Sequence, residues 1–420
     1  MINKKVMNRL VLIGNGFDLA HGLPTKYEHF IDWYWKEVGR RLLSESSDVV
    51  ADSMCSFKLK DGIAIPSWQY MWGTYYQRSN LLEQWDAKQV VTLAKSDSKI
   101  CYFRIESSLF DRICKQIEYG WVDIENIYYE LLKEYVIREG IVSKTERLNN
   151  DLLFIQEKLV EYLKSLDTPT SLLKTDIRQK IYAPIKVSDI SIESENALIN
   201  HVNIEMKQDK NYWDDKLRKY DSNCYMHGYV GDYKEKFGGN VVLNDEIPDE
   251  LLLPNHIMLL NFNYTHTADL YCKKGNIFSV NQIHGDLNKP ESVIFGYGDE
   301  LDENYKTIVN QNENKYLGNI KSIKYLEADN YRKILSFIES EPYQILIMGH
   351  SCGNSDRTLL NTLFEHKNCV SIKPYYHQID AEHDNYIELI QNISRNFKDM
   401  KLMRDRVVNK TYCESLTRNN

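Results

Sequence analysis

The feature that most constrains this chain lies near its start, in the stretch RLVLIGNGFDLAHGLPTKY from Arg9 to Tyr27. The apolar run Leu10 to Ile13 breaks at Gly14-Asn15-Gly16, and Gly22-Leu23-Pro24 follows. A short, continuous apolar run bounded by glycine suits a strand buried on both faces of a parallel sheet. A glycine turn running from such a strand into a helix presents backbone amides and a positive dipole end, where a pyrophosphate can sit. Gly14, Asn15, Gly16 and Phe17 are therefore candidate nucleotide-binding residues. The dehydrogenase pattern G-x-G-x-x-G fails because position 19 is Leu, and a plain tight turn is the alternative.

The rest of the chain supports a sheet. Segments 257–261 (IMLLN), 278–283, 293–295, 344–348 and 370–373 read as strands, and helical patterns at 265–273, 326–340, 355–366 and 384–396 alternate with them. That alternation predicts an α/β protein with a Rossmann-like parallel sheet and helices on both faces. Residues 1–45 and 251–400 would form this discontinuous core, with 401–420 as a C-terminal tail. Between the halves, 46–250 reads as a large, mainly helical insertion. Thr25 is placed to cap a helix over 25–43, with Glu28 three residues on. Residues 46–80 lose periodicity and read as loop, helices return at 81–95, 105–118, 122–138 and 147–166, and 186–250 reads as irregular, with a turn at Phe237-Gly238-Gly239-Asn240.

At 420 residues with a net charge of -8, the chain carries no surplus of cations for a nucleic-acid footprint. Eight scattered cysteines form no C-x-x-C pair, which suits free thiols in a reducing compartment. Lys4 and Lys5 precede an apolar run too brief for a signal peptide, and no window reaches a transmembrane length. A cytoplasmic protein without membrane contact is expected. No two histidines show metal-ligand spacing, so no metal is expected.

Ligands of an open parallel sheet bind beyond the carboxyl ends of its strands. Three further strand ends carry polar groups. Asn263, in Asn261-Phe262-Asn263-Tyr264-Thr265, could orient a water or a ribose hydroxyl, or a residue there could simply cap the next segment. His284, before Gly285, could act as a base, or be a structural histidine. Gly349-His350-Ser351-Cys352-Gly353 fits the G-x-S-x-G nucleophile elbow of a serine hydrolase, with Asp380 and His377 or His383 following in order. Only 69 residues follow Ser351, and the hydrolase reading leaves the other loops without a task.

Taken together, the four loops resemble the sirtuin pattern. Gly14-Asn15-Gly16-x-Asp18-x-x-x-Gly22-Leu23-Pro24 is similar to the sirtuin signature G-A-G-x-S-x-x-x-G-I-P. Asn263-Tyr264-Thr265, His284-Gly285 and Gly349-x-Ser351 with Asp356 resemble its N-Y-D, H-G and G-x-S elements in order. A nearer resemblance is to the bacterial abortive-infection family AbiH, whose opening IGNGFDLAHGLPT-Y reappears from Ile13 to Tyr27. Its W-x-D-I-E, FNYT, IHG, FGYG and GHS-x-x-x-D elements match Trp121–Glu125, Phe262–Thr265, Ile283–Gly285, Phe295–Gly298 and Gly349–Asp356. The AbiH resemblance implies a role in defence against bacteriophage, answering a phage-derived trigger. The sirtuin-like pattern implies NAD or a related nucleotide as ligand or substrate. Departures from sirtuins argue against protein deacylation: the zinc-binding cysteine pairs are absent, Asp18 stands for a serine, and Thr265 for an aspartate.

These resemblances imply hydrolysis of the nicotinamide–ribose bond. In that scheme Gly14 to Phe17, Gly22 and Thr25 hold the pyrophosphate. Asn263 and His284 act on the ribose and water, while Gly349, Ser351 and Asp356 shape the adenosine side. Asp18 either caps its helix or stabilises a ribosyl cation. Asp123 and Glu125 open a helix, where the dipole alone accounts for acidic residues, and a share in the pocket is the alternative. His21 reads as a packing or capping residue. A serine hydrolase at Ser351, a non-catalytic nucleotide sensor and a homo-oligomeric assembly stay open.

Overall fold

A computed structural model describes residues 7–61, 65–72, 87–117, 122–166, 173–208, 252–272 and 277–417. Trp121, the start of the helix expected at 81–95, the irregular stretch beyond 208 and the Phe237–Asn240 turn lie outside the described residues.

Five strands form one parallel sheet: β1 (Asn8–Ile13), β5 (Ile257–Asn261), β6 (Phe278–Gln282), β7 (Tyr343–Met348) and β8 (Cys369–Tyr375). Their order is β6-β5-β1-β7-β8. Counted among the five, that is third, second, first, fourth, fifth, the order of a Rossmann-like sheet. The chain leaves β1 toward one edge and returns on its other side with β7, so the topological switch point falls between β1 and β7. β1 pairs over its length with β7 (Ile13 opposite Met348) and with β5 (Ile13 opposite Asn261).

Side-chain alternation gives the sheet two buried faces. Leu10, Leu12, Leu260, Ile345 and Ile347 pack with the helices Asn330–Ser340, Arg357–Phe364 and Tyr386–Arg395. Val11, Ile13, Leu259, Leu346 and Met348 pack instead with α1 (Asn15–Ala20), α8 (Thr175–Tyr182) and a 3-10 turn at Thr267–Tyr271. Each such aliphatic side chain contributes roughly 1.5–3 kcal/mol on burial, which is why the strands read as unbroken apolar runs. Arg9 is the exception on β1. Its guanidinium donates to the carbonyls of Ile181 and Ala183 at 2.9 and 2.6 Å and to Gln344 Oε1 at 3.0 Å, fastening the end of α8 to the sheet.

The intervening segment forms a second core. α2 (Tyr27–Ser44), α4 (Ala87–Ser96), α5 (Ser108–Ile117), α6 (Ile124–Lys133) and α7 (Val142–Ser165) surround it. A small antiparallel sheet of β2 (Val49–Ala51), β3 (Cys55–Leu59) and β4 (Cys101–Ile105) joins them. Leu287, Val293, Phe295, Tyr297, Ile308 and Tyr316, from the second half of the chain, belong to the same apolar cluster. The segment is therefore fused to the parallel sheet's loops. Tyr162 donates to the Pro24 carbonyl at 2.5 Å, Gln156 to that of Val293 at 3.1 Å, and Asn149 to that of Lys315 at 2.8 Å.

Several local expectations need correction. Residues 46–80 hold β2 and β3 rather than loop alone. The segment Val293–Phe295 is no strand: its Ile294 amide donates to the His284 carbonyl at 2.9 Å, outside the sheet. Of the stretch expected as a helix at 265–273, the described residues 265–272 contain only the 3-10 turn, and 192–208 is a helix, α9 (Ile192–Gln208), rather than irregular. Thr25 is not a helix cap. α2 starts at Tyr27 after Lys26, and the Thr25 hydroxyl donates to Asn15 Oδ1 instead. No described helix is long and apolar enough to cross a membrane.

Candidate functional site

The switch point is closed by glycine against glycine. Gly14 donates its amide to the Met348 carbonyl at 3.3 Å, Gly16 to Gly349 at 2.8 Å, and Phe17 to Gly14 at 2.8 Å. A Cβ on Gly14 would lie 2.5 Å from His350 Cα, and one on Gly16 would lie 2.9 Å from Gly349 Cα. Gly349 itself adopts φ 75°, and a Cβ there would collide with the Phe17 amide nitrogen. Of the amides expected to face a pyrophosphate, those of Gly14 and Gly16 are thus spent on joining the β1 and β7 loops, and that of Phe17 on a turn within the β1 loop. Asn15 and Gly22 are exposed and Thr25 half-buried, forming the outer rim.

Beneath that seam lies Asp18, 1% exposed in α1. Thr265 Oγ1 donates to its Oδ2 at 2.6 Å, while Oδ1 has no partner. Burial pushes its carboxyl up to about 6, against hydrogen bonding from Thr265, Thr267 and Asn263 that favours the charged form. Asn263 donates its side-chain amide to the Gly14 carbonyl at 3.0 Å, and its backbone N–H donates to Asn261 Oδ1 at 3.1 Å. The three residues tie the β5 loop to the β1 loop. His21 bridges the Phe17 carbonyl and the Tyr271 hydroxyl, both at 2.6 Å, a packing role.

The strongest electrostatics lie beside this, under the ends of β6 and β7. His284, 4% exposed, places Nδ1 3.1 Å from the Phe262 carbonyl. Its Nε2 is 3.2 Å from the Tyr325 hydroxyl and 3.1 Å from Asp356 Oδ1. A carbonyl only accepts, so Nδ1 carries a hydrogen; at Nε2 the Tyr325 hydroxyl can donate while Asp356 can only accept, so the ring is a base when neutral and an ion-pair partner when protonated. Lys321, fully buried, donates to Asp356 Oδ1 and to Glu125 Oε2, both at 2.8 Å. Glu125 Oε1 accepts the Gly296 amide at 3.2 Å. His350 Nε2 approaches Asp356 Oδ2 at 3.6 Å, and its ring meets Phe262 edge-on at 4.1 Å.

Burial opposes every charge here, and pairing decides which survive. Lys321 and the histidines hold Asp356 well below the usual carboxylate range despite its burial. Burial raises Glu125 to about 7, with Lys321 pulling the other way. His284 is lowered by burial and then by Lys321, with Asp356 opposing. The arrangement is a neutral imidazole set against an ionised aspartate, which is the chemistry of an oriented proton acceptor.

The sequence-predicted residues thus fall into three places. Asn15, Gly22, Thr25 and Ser351 lie on the rim, where Ser351 is exposed and its carbonyl accepts from Asn392 at 3.0 Å. Gly14, Gly16, Phe17 and Gly349 form the seam, and Asp18, Asn263, His284 and Asp356 lie below it. Asp356 sits at the centre of the ionic cluster rather than on an outer wall. The acid and base that would serve Ser351 pair with each other: His383 Nδ1 is 2.9 Å from Asp380, in an exposed turn. Asp123 does what the helix dipole requires, capping α6 through the Asn126 amide at 3.0 Å, whereas Glu125 turns into the cluster. Lys321 and Tyr325 were not foreseen, since a lysine between Ile320 and Ile323 carries no sign of burial. Among the described residues no three His, Cys, Asp or Glu side chains gather to hold a metal ion.

Fold and site together define an α/β protein of Rossmann-like strand order with a buried ionic site at its strand ends. A family profile described as bacteriophage abortive infection AbiH matches residues 10–377, and the chain belongs to that family. Neither the curated proteins nor the solved structures contain a match. Membership carries a role in abortive infection by bacteriophage.

Proposed function

We propose that this chain acts in abortive infection by binding NAD or a related nucleotide over the carboxyl ends of β1, β5, β6 and β7 and hydrolysing its nicotinamide–ribose bond. The observation that carries this reading is the pairing of His284 with Asp356, 3.1 Å apart, where four strand-end loops meet. N-glycosidic cleavage passes through an oxocarbenium-like transition state and asks mainly for positioning, charge and a placed water. His284 Nε2 serves as the acceptor for a ribose or water proton, and Asn263 and Asp18 supply polarity next to it. With the seam amides already spent, the rim groups of Asn15 and Thr25, rather than a bare glycine cradle, meet the phosphates.

Purified protein incubated with NAD tests this by nicotinamide release. His284→Ala or Asn263→Ala should lower the rate at least ~100-fold, the usual range for loss of a positioned acid–base group. Binding without turnover would instead favour a second reading, a nucleotide sensor, which the near-complete burial of His284 and Asp356 also suits. Absence of both binding and release, with phage infection products added as trigger, would overturn the proposal. Labelling of Ser351 by a fluorophosphonate would replace it with a serine hydrolase.

A further inference from the structure

Asp356 Oδ1 has two suitors. Lys321 Nζ lies 2.8 Å from it and His284 Nε2 3.1 Å, so the same oxygen faces an ammonium and an imidazole nitrogen. A cation already seated on that oxygen removes much of the reason for His284 to take a second proton. Lys321 is in turn held from its far side by Glu125 at 2.8 Å, and Glu125 belongs to α6 of the inserted helical segment. The groups facing His284 are Asp356, His350, Tyr325 and Lys321, with Tyr264 stacked obliquely at 6.4 Å and Glu125 acting through Lys321.

We infer that Lys321, held between Asp356 and Glu125 of α6, is the positioning residue that keeps His284 in its proton-accepting form. This rests on the reading of His284 as the base. Were the Lys321 ammonium removed from Asp356, the freed carboxylate would draw a proton onto Nε2. The site would thereby be silenced without any change at the rim.

The test is an NMR titration of isotope-labelled histidines in the full chain. In the unsubstituted protein His284 should be neutral at pH 7. Lys321→Met should raise its midpoint by about one unit, so that nicotinamide release at a pH below both midpoints falls about tenfold relative to release above both. Glu125→Gln, which leaves the lysine with Asp356 alone, should not raise it. Where Lys321→Met does not fold, the double variant Lys321→Met/Glu125→Gln removes one charge of each sign and must show the same rise. A His284 protonated at pH 7 in the unsubstituted chain, or a midpoint unmoved by loss of Lys321, overturns the inference. A chain that never releases nicotinamide defeats the glycohydrolase reading yet leaves this titration decisive for Lys321.

Discussion

At the level of single residues, Asp18 is the clearest case of stability given up. One of its oxygens has no partner, and its carboxyl titrates at about 6 rather than 3.8. The folded chain thus holds this proton to a higher pH than the unfolded chain does. Folding is favoured by protonation between those values, so stability falls as pH climbs from about 4 to about 6 and stays lowered above. Asp18→Asn keeps an acceptor for Thr265 and removes the buried charge. It should stabilise the protein at pH 7 by up to about 3 kcal/mol, taking 1.36 kcal/mol per pKa unit. Denaturant midpoints at pH 4 and pH 7 check this, since the variant's advantage must widen on going up. A variant less stable than its parent at pH 7 would mean that Thr265, Thr267 and Asn263 favour the carboxylate by more than burial opposes it, and a role in the site would lose its energetic argument.

Among the elements, the β1 and β7 loops carry the sharpest mutational expectation. Gly349→Ala meets both a left-handed φ of 75° and the Phe17 amide, and should cost roughly 2–5 kcal/mol. Gly22 also has a positive φ, 81°, but open space around its Cα, so Gly22→Ala should cost only about 1–2 kcal/mol. Thermal or chemical unfolding of the pair separates packing from backbone preference. The same contrast explains what the sequence made legible. β1, β5 and β7 are buried on both faces and therefore written as apolar runs. β3 buries only Cys55, Phe57 and Leu59 in alternation, a pattern too short to stand out between polar neighbours. Asn263, His284 and Asp356 were legible because each follows a strand. Lys321 was not, because its meaning depends on Glu125, 196 positions away, and on Asp356, 35 positions away. No local pattern carries such a pairing.

Across the whole molecule, the helical segment and the parallel sheet are joined by a shared apolar cluster and by the ion pair of Glu125 with Lys321. Separately melting units would need a seam that opens to water without exposing apolar surface. Here opening it would expose Leu287, Val293, Phe295 and Tyr297 of the shared cluster, at roughly 1.5–3 kcal/mol for each such side chain. Unfolding should therefore be one transition, with far- and near-ultraviolet circular dichroism coincident. Two resolved transitions would show that the seam is weak.

The interlocked glycines also bear on how such a chain can diverge. Positions 14 and 349 are separated by most of the sequence, yet neither can gain a side chain while the other loop stays where it is. A side chain at either would require the opposite loop's backbone to move, which no change at the other glycine supplies. Two motifs that look like independent signatures are, in heredity, a single character.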